Sequence, residues 1–259
     1  MKCIGNRWAA VLTKNILHLE NHIEEGKDQN MPMYHLPSIR SEIYPLKQRP
    51  RPFLDVYPSV REMLLIQPMS RQVFFQRFGY DLPFYGRVKD ESFFQTSQIT
   101  HFGMIIKDDP ISFEFYDNVL GMKRVRDEQV TTSTFEQMSS RIMFDLQPNE
   151  TYGTVDFDDP RSQNQMAQMR SGRLKIIRFS DQTQLDNKIH LAKPGSLGFS
   201  LYTLRVHSIQ STHEKVQLTA ATGVTEIWSN EFGELSFSFV APDGYFWTIL
   251  QKPDVSSSS

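Results

Sequence analysis

His101 is the residue whose type and setting point first to chemistry. It lies in the apolar run ITHFGMIIK, residues 99–107. An imidazole titrates near neutrality. At the mouth of an apolar strand it can be a general base, a donor to a ligand, a metal ligand or a satisfied core residue. Other clusters offer less. His18 and His22 stand four apart on a helical stretch, but Leu19 follows the first histidine where the zinc-protease pattern needs a glutamate. They read as a solvated helix flank. Asp156, Asp158 and Asp159 crowd one turn, without the glycine and distal glutamate of a calcium loop. The stretch around them carries Met166 and Met169 among Gln and Arg, and reads as a surface loop or a lid. No GxSxG, GxGxxG or phosphate-binding glycine loop occurs. That removes the usual sequence handles of serine hydrolases, dinucleotide enzymes and P-loop NTPases.

Composition narrows the partners. The 259 residues carry 28 Lys+Arg against 30 Asp+Glu, a net charge of −2. That balance speaks against a broad electrostatic footprint for nucleic acid or an anionic membrane. Hydrophobic residues at 39% and charged residues at 22% are those of a globular chain. A chain this long buries roughly three-quarters of its unfolded surface without a disulfide or metal staple. Its one cysteine, Cys3, allows no intrachain disulfide and no Cys-based zinc site, in keeping with a reducing, cytoplasmic setting. The start, MKCIGNRWAAVLTKNILHLE, is broken by Lys14, Asn15 and His18, so neither a signal peptide nor a membrane span is expected. No cofactor signature is read.

The elements that must position His101 follow from periodicity and punctuation. Trp8, Leu12, Ile16, Leu19 and Ile23 recur at three- and four-residue steps. They predict an amphipathic helix over residues 6–26, capped by Asn6 and ended by Gly26. Residues 27–52, spaced by Pro32, Pro37, Pro45, Pro50 and Pro52, predict loop or edge structure. VREMLLIQ, residues 60–67, reads as a strand, and residues 69–97 as a packed connector. From residue 98 the pattern sharpens. A strand at 99–107 meets a turn at Asp108, Asp109 and Pro110. A helix follows at 111–120, with Phe113, Tyr116 and Leu120 on one face and Gly121 at its left-handed cap. Strands at 122–126, 141–147 and 173–179 complete a β-α-β-β-β order, with a polar insertion at 148–171. The order recurs as strand 196–206, helix 210–222 ending at Gly223, and strands 224–228, 234–240 and 245–251. The tight turn Ala241-Pro242-Asp243-Gly244 joins the last two.

Matching points support duplication of one unit. His101-Phe102-Gly103 aligns with Ser196-Leu197-Gly198, and Gly121-Met122 with Gly223-Val224. Gly172-Arg173-Leu174-Lys175-Ile176 aligns with Gly244-Tyr245-Phe246-Trp247-Thr248. Residues 58–67 form a fainter copy of residues 242–251. The string HFGMIIKDDPISFEFYDNVLGMKRVRDE (101–128) and the ending FSFVAPDGYFWTIL (237–250) resemble the vicinal oxygen chelate superfamily. It includes glyoxalases, extradiol dioxygenases, fosfomycin-modifying enzymes and bleomycin-resistance proteins. The resemblance covers about residues 98–252. It implies an α+β fold, with paired βαβββ modules forming a curled, cavity-enclosing mixed sheet and an N-terminal helical or irregular extension. The expected division is an N-terminal segment at 1–68, holding the amphipathic helix and a possible degenerate module, then a connector at 69–97. The first module follows at 98–181, a linker at 182–195, the second module at 196–252 and a disordered tail at 253–259.

In metal-using members of that superfamily, four side chains point into the cavity, two from first strands and two from last strands. They hold a divalent ion with positions open for a bidentate substrate. The resemblance puts His101 and Ser196 at the first-strand positions, and Ile176 and Thr248 at the last-strand ones. Isoleucine cannot bind an ion and neutral hydroxyls are poor ligands. One-residue shifts bring in Lys175, Ile177, Trp247 and Ile249, none of them acidic. The usual metal site is therefore expected to be missing, unless another pairing of modules brings Glu62 or His35 to His101. Ser196, Thr248, Ile176, Tyr202 and Trp247 are expected to contact an apolar or aromatic ligand; ordinary barrel filling accounts for them as well. Two functions stay open. One is a metal-free small-molecule-binding protein, in the manner of drug-sequestering relatives. The other is an enzyme of secondary metabolism or aromatic degradation, lyase, isomerase or ring-cleaving dioxygenase-like. There His101 would serve as base or as part of an atypical metal site. The expected partner is a small molecule rather than nucleic acid or membrane, and the N-terminal segment is available to pair two copies as a homodimer.

Overall fold

The computed structural model describes residues 3–13, 15–30, 38–45, 59–66, 69–77, 95–107, 110–130, 144, 150–158, 172–179, 185–196, 199 and 201–252. After a short strand β1 (Cys3–Ile4), a strand–helix–three-strand unit occurs three times. Unit 1 comprises β2 (Arg7–Thr13), α1 (Ile16–Asp28), β3 (Ser38–Pro45), β4 (Ser59–Ile66) and β5 (Ser70–Arg77). Unit 2 opens with β6 (Thr96–Ile106) and α2 (Pro110–Glu114), which runs on as a π-helical turn, Phe115–Val119. Its strands β7 (Lys123–Val130), β8 (Tyr152–Asp158) and β9 (Arg173–Phe179) follow. The short β10 (Asp186–Asn187) pairs in parallel with β1. Unit 3 comprises β11 (Tyr202–Val206), α3 (Ile209–Gln217), β12 (Trp228–Ser229), β13 (Leu235–Val240) and β14 (Phe246–Gln251).

In every unit the first strand runs parallel to the last, and the other pairings are antiparallel. Units 1 and 2 join through the antiparallel pair β2–β6 into one eight-stranded sheet, order β3-β4-β5-β2-β6-β9-β8-β7. Unit 3 keeps its own sheet, order β11-β14-β13-β12. The paired modules are thus present, but the pair differs from the expected one. Residues 98–181 pair with the N-terminal segment, not with residues 196–252.

The reason lies in β2. Residues 6–26 do not form one helix. Arg7–Thr13 is a strand buried at every position, and the helix starts at Ile16, with Asn15 rather than Asn6 accepting from the His18 amide. A run that is apolar throughout has no period to separate a central strand from a buried helix. Ile16, Leu19 and Ile23 do form the buried helical face. The expected connector holds β5, and the expected polar insertion holds β8. Unit 3 starts its first strand at Tyr202, so Ser196 lies in the preceding turn, its amide bonded to the Lys193 carbonyl. The expected strand 141–147 lies outside the described residues except for Phe144, which is helical. His35, Asp108, Asp109, Asp159, Met166, Met169 and the tail also lie outside them.

Both α1 and α2 cover one face of the large sheet. α1 packs Ile16, Leu19 and Ile23 on Met63, with Leu65 and Phe74 beside them. α2 and its π turn lie between the two sheets. Tyr116 stands 5.6 Å from the Phe157 ring on one side and 5.6 Å from Trp247 on the other, and Phe115 lies 5.6 Å from Phe239. Met104, Leu174 and Ile176 share this core with Phe237, Phe239, Trp247 and Ile249. Each such side chain stabilises the fold by roughly 1.5–3 kcal/mol relative to exposure. Two hydroxyls tie unit 3 to the β6 backbone: Tyr202 donates to the Gly103 carbonyl at 3.0 Å, and Tyr245 to that of Ile105 at 2.7 Å.

Candidate functional site

Side chains alternate between the faces of a strand, so the register assigns each candidate to a side. Phe102, Met104 and Ile106 of β6 face the helices, which places His101, Gly103 and Ile105 on the opposite face. His101 sits there between Ala10 of β2 and Arg173 of β9. The register slips beside it: Ala10 opposes His101 and Val11 opposes Ile99, which leaves Thr100 as an extra residue. Such bulges re-aim a side chain. The Thr100 hydroxyl donates to the Ala10 carbonyl at 2.9 Å and lies 3.1 Å from His101 Nδ1. With its hydrogen engaged, the hydroxyl accepts from Nδ1–H. This hydrogen-bond pattern assigns the neutral ring its lone pair on Nε2.

Next to His101 on the same face is a charged cluster. The Asp156 carboxylate is 2% exposed. Arg126 Nε lies 3.2 Å from it and Arg173 Nη1 3.7 Å, while the Thr154 hydroxyl donates to it at 3.1 Å. Lys175 stands directly across from Asp156 in the β8–β9 register. A carboxylate buried this deeply persists only with such partners. Two guanidinium groups therefore gather at one carboxylate, with Lys175 on the neighbouring strand in register with it. Behind them lies an aromatic wall. The Trp8 indole covers Gly103 so closely that a Cβ there would come within 2.0 Å of the ring. Phe144 meets Trp8 edge-on at 5.3 Å, and lies 6.0 Å from Tyr152 and 6.1 Å from Phe179.

A divalent metal does not fit this donor set. The central strands β5, β2, β6 and β9 present Arg71 and Val73, Trp8 and Ala10, His101 and Gly103, and Arg173 and Lys175 on this face. Among these, His101 alone has the chemistry of a usual metal ligand. Among the described residues no three His, Cys, Asp or Glu side chains gather to hold an ion. Glu62 sits on β4, three strands from β6, which is about 14 Å across a flat sheet.

The other sequence-predicted contacts are not brought to His101. Ile176, Tyr202 and Trp247 belong to the closed core between the sheets. Thr248 lies on the other side of β14 from Trp247, its hydroxyl 2.8 Å from that of Ser238. Ser196 is in the turn before unit 3. Sequence reading missed Trp8, Arg126, Asp156 and Arg173 as neighbours of His101. The alternation in YGTVDFD signals a strand for Asp156, but its partners come from two other strands and only the register joins them.

The inter-sheet core has its own electrostatics. Tyr116 donates to the Asp243 carboxylate, whose other oxygen accepts from the Tyr245 amide at 3.2 Å. Burial pushes the Asp243 carboxyl up to about 6, with those hydrogen bonds opposing the rise. Burial, then the Asp243 charge, pushes the Tyr116 phenol well above its ordinary range. Arg7 is fully buried near Tyr202 and Tyr245, and burial lowers its pKa.

A model of the Glyoxalase/Bleomycin resistance protein/Dioxygenase superfamily matches residues 98–249, and the chain belongs to that superfamily. The matched stretch spans units 2 and 3. Glyoxalase I from Zea mays is similar in fold, with 12% identity and a TM-score of 0.54 over 94% of this chain and 66% of that one. A variant of the same maize enzyme gives 14% identity and a TM-score of 0.55 over the same shares, 94% and 66%. The chain thus spans about two thirds of the maize chain's length, and identities this low speak for the fold alone. No curated protein matches the chain in sequence. Among the described residues no helix is long and apolar enough to cross a membrane.

Proposed function

We propose that the chain is a small-molecule-binding member of its superfamily with a degenerate metal site. Its ligand, with an apolar or aromatic body and an anionic group, binds around His101 on the face of the large sheet opposite α1 and α2. One observation carries this reading: the central strands offer one imidazole flanked by Arg173 and Lys175, where an ion would need carboxylates. Guanidinium and ammonium groups hold a ligand's oxygens directly, through charge-assisted hydrogen bonds. The test is elemental analysis of the purified protein, followed by calorimetric titration with benzoate, 1-naphthoate and their neutral amides. The expected result is no stoichiometric Fe, Mn, Ni or Zn, preference for the carboxylates, and loss of that preference in Arg173→Ala. A stoichiometric transition metal that disappears in His101→Ala would overturn it.

A second reading has its own support. The Thr100–His101 contact leaves Nε2 as the basic nitrogen, which suits a general base in an enzyme without the four-ligand metal site. Phenylpyruvate, an aromatic anionic carbon acid, is the probe. Deuterium incorporation above the spontaneous rate, lost in His101→Ala, supports catalysis; an unchanged rate leaves only binding.

A further inference from the structure

We propose that the buried guanidinium of Arg7 is a second binding site. It takes one small planar monoanion of the carboxylate class, where the first strands of units 1 and 2 meet unit 3.

The first support is placement. Arg7 opens β2 and is 0% exposed. Its register partners are Ser70 on β5 and Met104 on β6. Met104 belongs to the core between the sheets, so Arg7 is on that side, opposite to His101. Unit 3 closes over the same place with Tyr202 and Tyr245, whose rings meet edge-on at 5.9 Å. Both hydroxyls donate to main-chain carbonyls, Tyr202 to that of Gly103 and Tyr245 to those of Ile105 and Asn6.

The second support is charge. A guanidinium keeps its proton in a protein, so Arg7 is a fixed positive charge out of water. Such a charge needs an opposite charge and hydrogen bonds to answer it. Among the described residues none accepts a hydrogen bond from Arg7 Nε, Nη1 or Nη2, and none forms an ion pair with it. Arg61 and Arg126 are more exposed, yet each has a carboxylate, Glu20 and Asp156 respectively. The two phenols supply no negative charge, because burial holds both above their ordinary range. Asp243 lies within reach of the same phenols, but burial raises its carboxyl and only hydrogen bonds oppose the rise, so it does not answer Arg7.

The ligand class follows from the donor. A guanidinium fork matches the two oxygens of a planar oxyanion. One fixed positive charge balances one negative charge, and a dianion would leave an excess buried beside Met104 and the tyrosine rings. This inference rests on burial and charge at Arg7 and stands apart from any ligand at His101.

The test uses Arg173→Ala as the background, so that carboxylate binding at His101 does not contribute. The protein is dialysed into sodium HEPES and denatured, and the released anions are measured by ion chromatography. A second portion is titrated with sodium formate at constant ionic strength while its melting temperature is followed. About one planar monoanion per chain should be retained. Where dialysis strips it, the melting temperature should rise by about 5 °C once formate reaches roughly 100 times its dissociation constant. Chloride should give a smaller rise, since it cannot take both arms of the fork. Added Arg7→Met should remove retention and response alike. Should that variant not fold, Arg7→Lys, which keeps the charge without the fork, should bring the formate response down to that of chloride. No retained anion together with equal responses in the presence and absence of the Arg7 substitution would overturn the proposal. So would a retained anion that persists in Arg7→Met, and a chloride response as large as that of formate would overturn the planar class.

Discussion

The two sheets share one topology and use their faces differently. On the side that meets the helices they converge. Met104, Leu174 and Ile176 from one and Phe237, Trp247 and Ile249 from the other close on α2 in a single core. On the opposite side they part. The large sheet carries His101 beside Asp156 and its cations, backed by Trp8 and Phe144. The small one carries the Ser238–Thr248 hydroxyl pair and the surface pair of Arg205 and Glu234. The helix-facing side must be apolar for a unit to fold at all. The other side is under no such demand, so chemistry varies there. Three residues expected around a ligand, Ile176, Tyr202 and Trp247, lie on the side that folding controls.

Substitutions on each side test that contrast. The largest effect belongs to Trp247→Ala, which empties the shared core and should cost about 3–5 kcal/mol in urea unfolding. Carboxylate binding at His101 should survive in whatever fraction stays folded. A cost below about 1 kcal/mol would break the picture of one core between the sheets.

Asp243→Asn comes next. The Asp243 carboxyl titrates at about 6 in the folded chain against an ordinary 3.8. The folded state therefore holds the proton more tightly. This group's contribution to stability is present below about pH 4 and lost as pH rises through about 6, a change of about 3 kcal/mol. The asparagine variant should be more stable than wild type at pH 7.5, and the advantage should vanish at pH 4. Thermal unfolding of both proteins across that range decides the sign.

Gly103→Ala probes the other face. The added methyl meets the Trp8 ring. A loss of about 1–3 kcal/mol is expected, with a changed near-ultraviolet tryptophan signal and weakened binding at the adjacent His101. The smallest effect is that of His101→Ala, which should move stability by under about 0.5 kcal/mol while removing preference for the ligand. A large loss of stability there would make the imidazole a core residue and sharpen the comparison against a functional face.

Much of the fold was legible. Gly121, at φ +71°, follows its helical segment directly as expected, whereas α3 stops at Gln217, five residues before the expected end, and Gly223, at φ +60°, lies in the bend before β12. The Ala241–Gly244 turn closes with the Gly244 amide on the Ala241 carbonyl at 2.8 Å. The β-α-β-β-β repeat was read twice, and its third instance was seen only as one faint strand. Two features hid the rest. Arg7–Thr13 has no polar alternation because both its faces are covered. Asp156 looked like part of an acidic turn because its strand is short and bounded by polar residues.

The candidate site was legible at one residue. His101 is set by its own strand and needs no partner to be noticed. The alignment that gave it companions matched Ile176 with Thr248, yet Ile176 faces the helices and Thr248 faces away from them. A shift of one residue moves a side chain to the other face of a sheet, so the error exchanged core for surface.

The sequence by itself determined two of the three units, the Gly121 helix end and the Ala241–Gly244 turn, and the lack of acidic donors on the strands beside His101. These depend on local periodicity and on residue type. Only the tertiary structure decided that unit 1 rather than unit 3 lies beside His101, and that Arg126 and Arg173 meet at Asp156. Strand pairing joins residues far apart in the chain through backbone hydrogen bonds that carry no residue code, so the choice of neighbour is made by the packed whole.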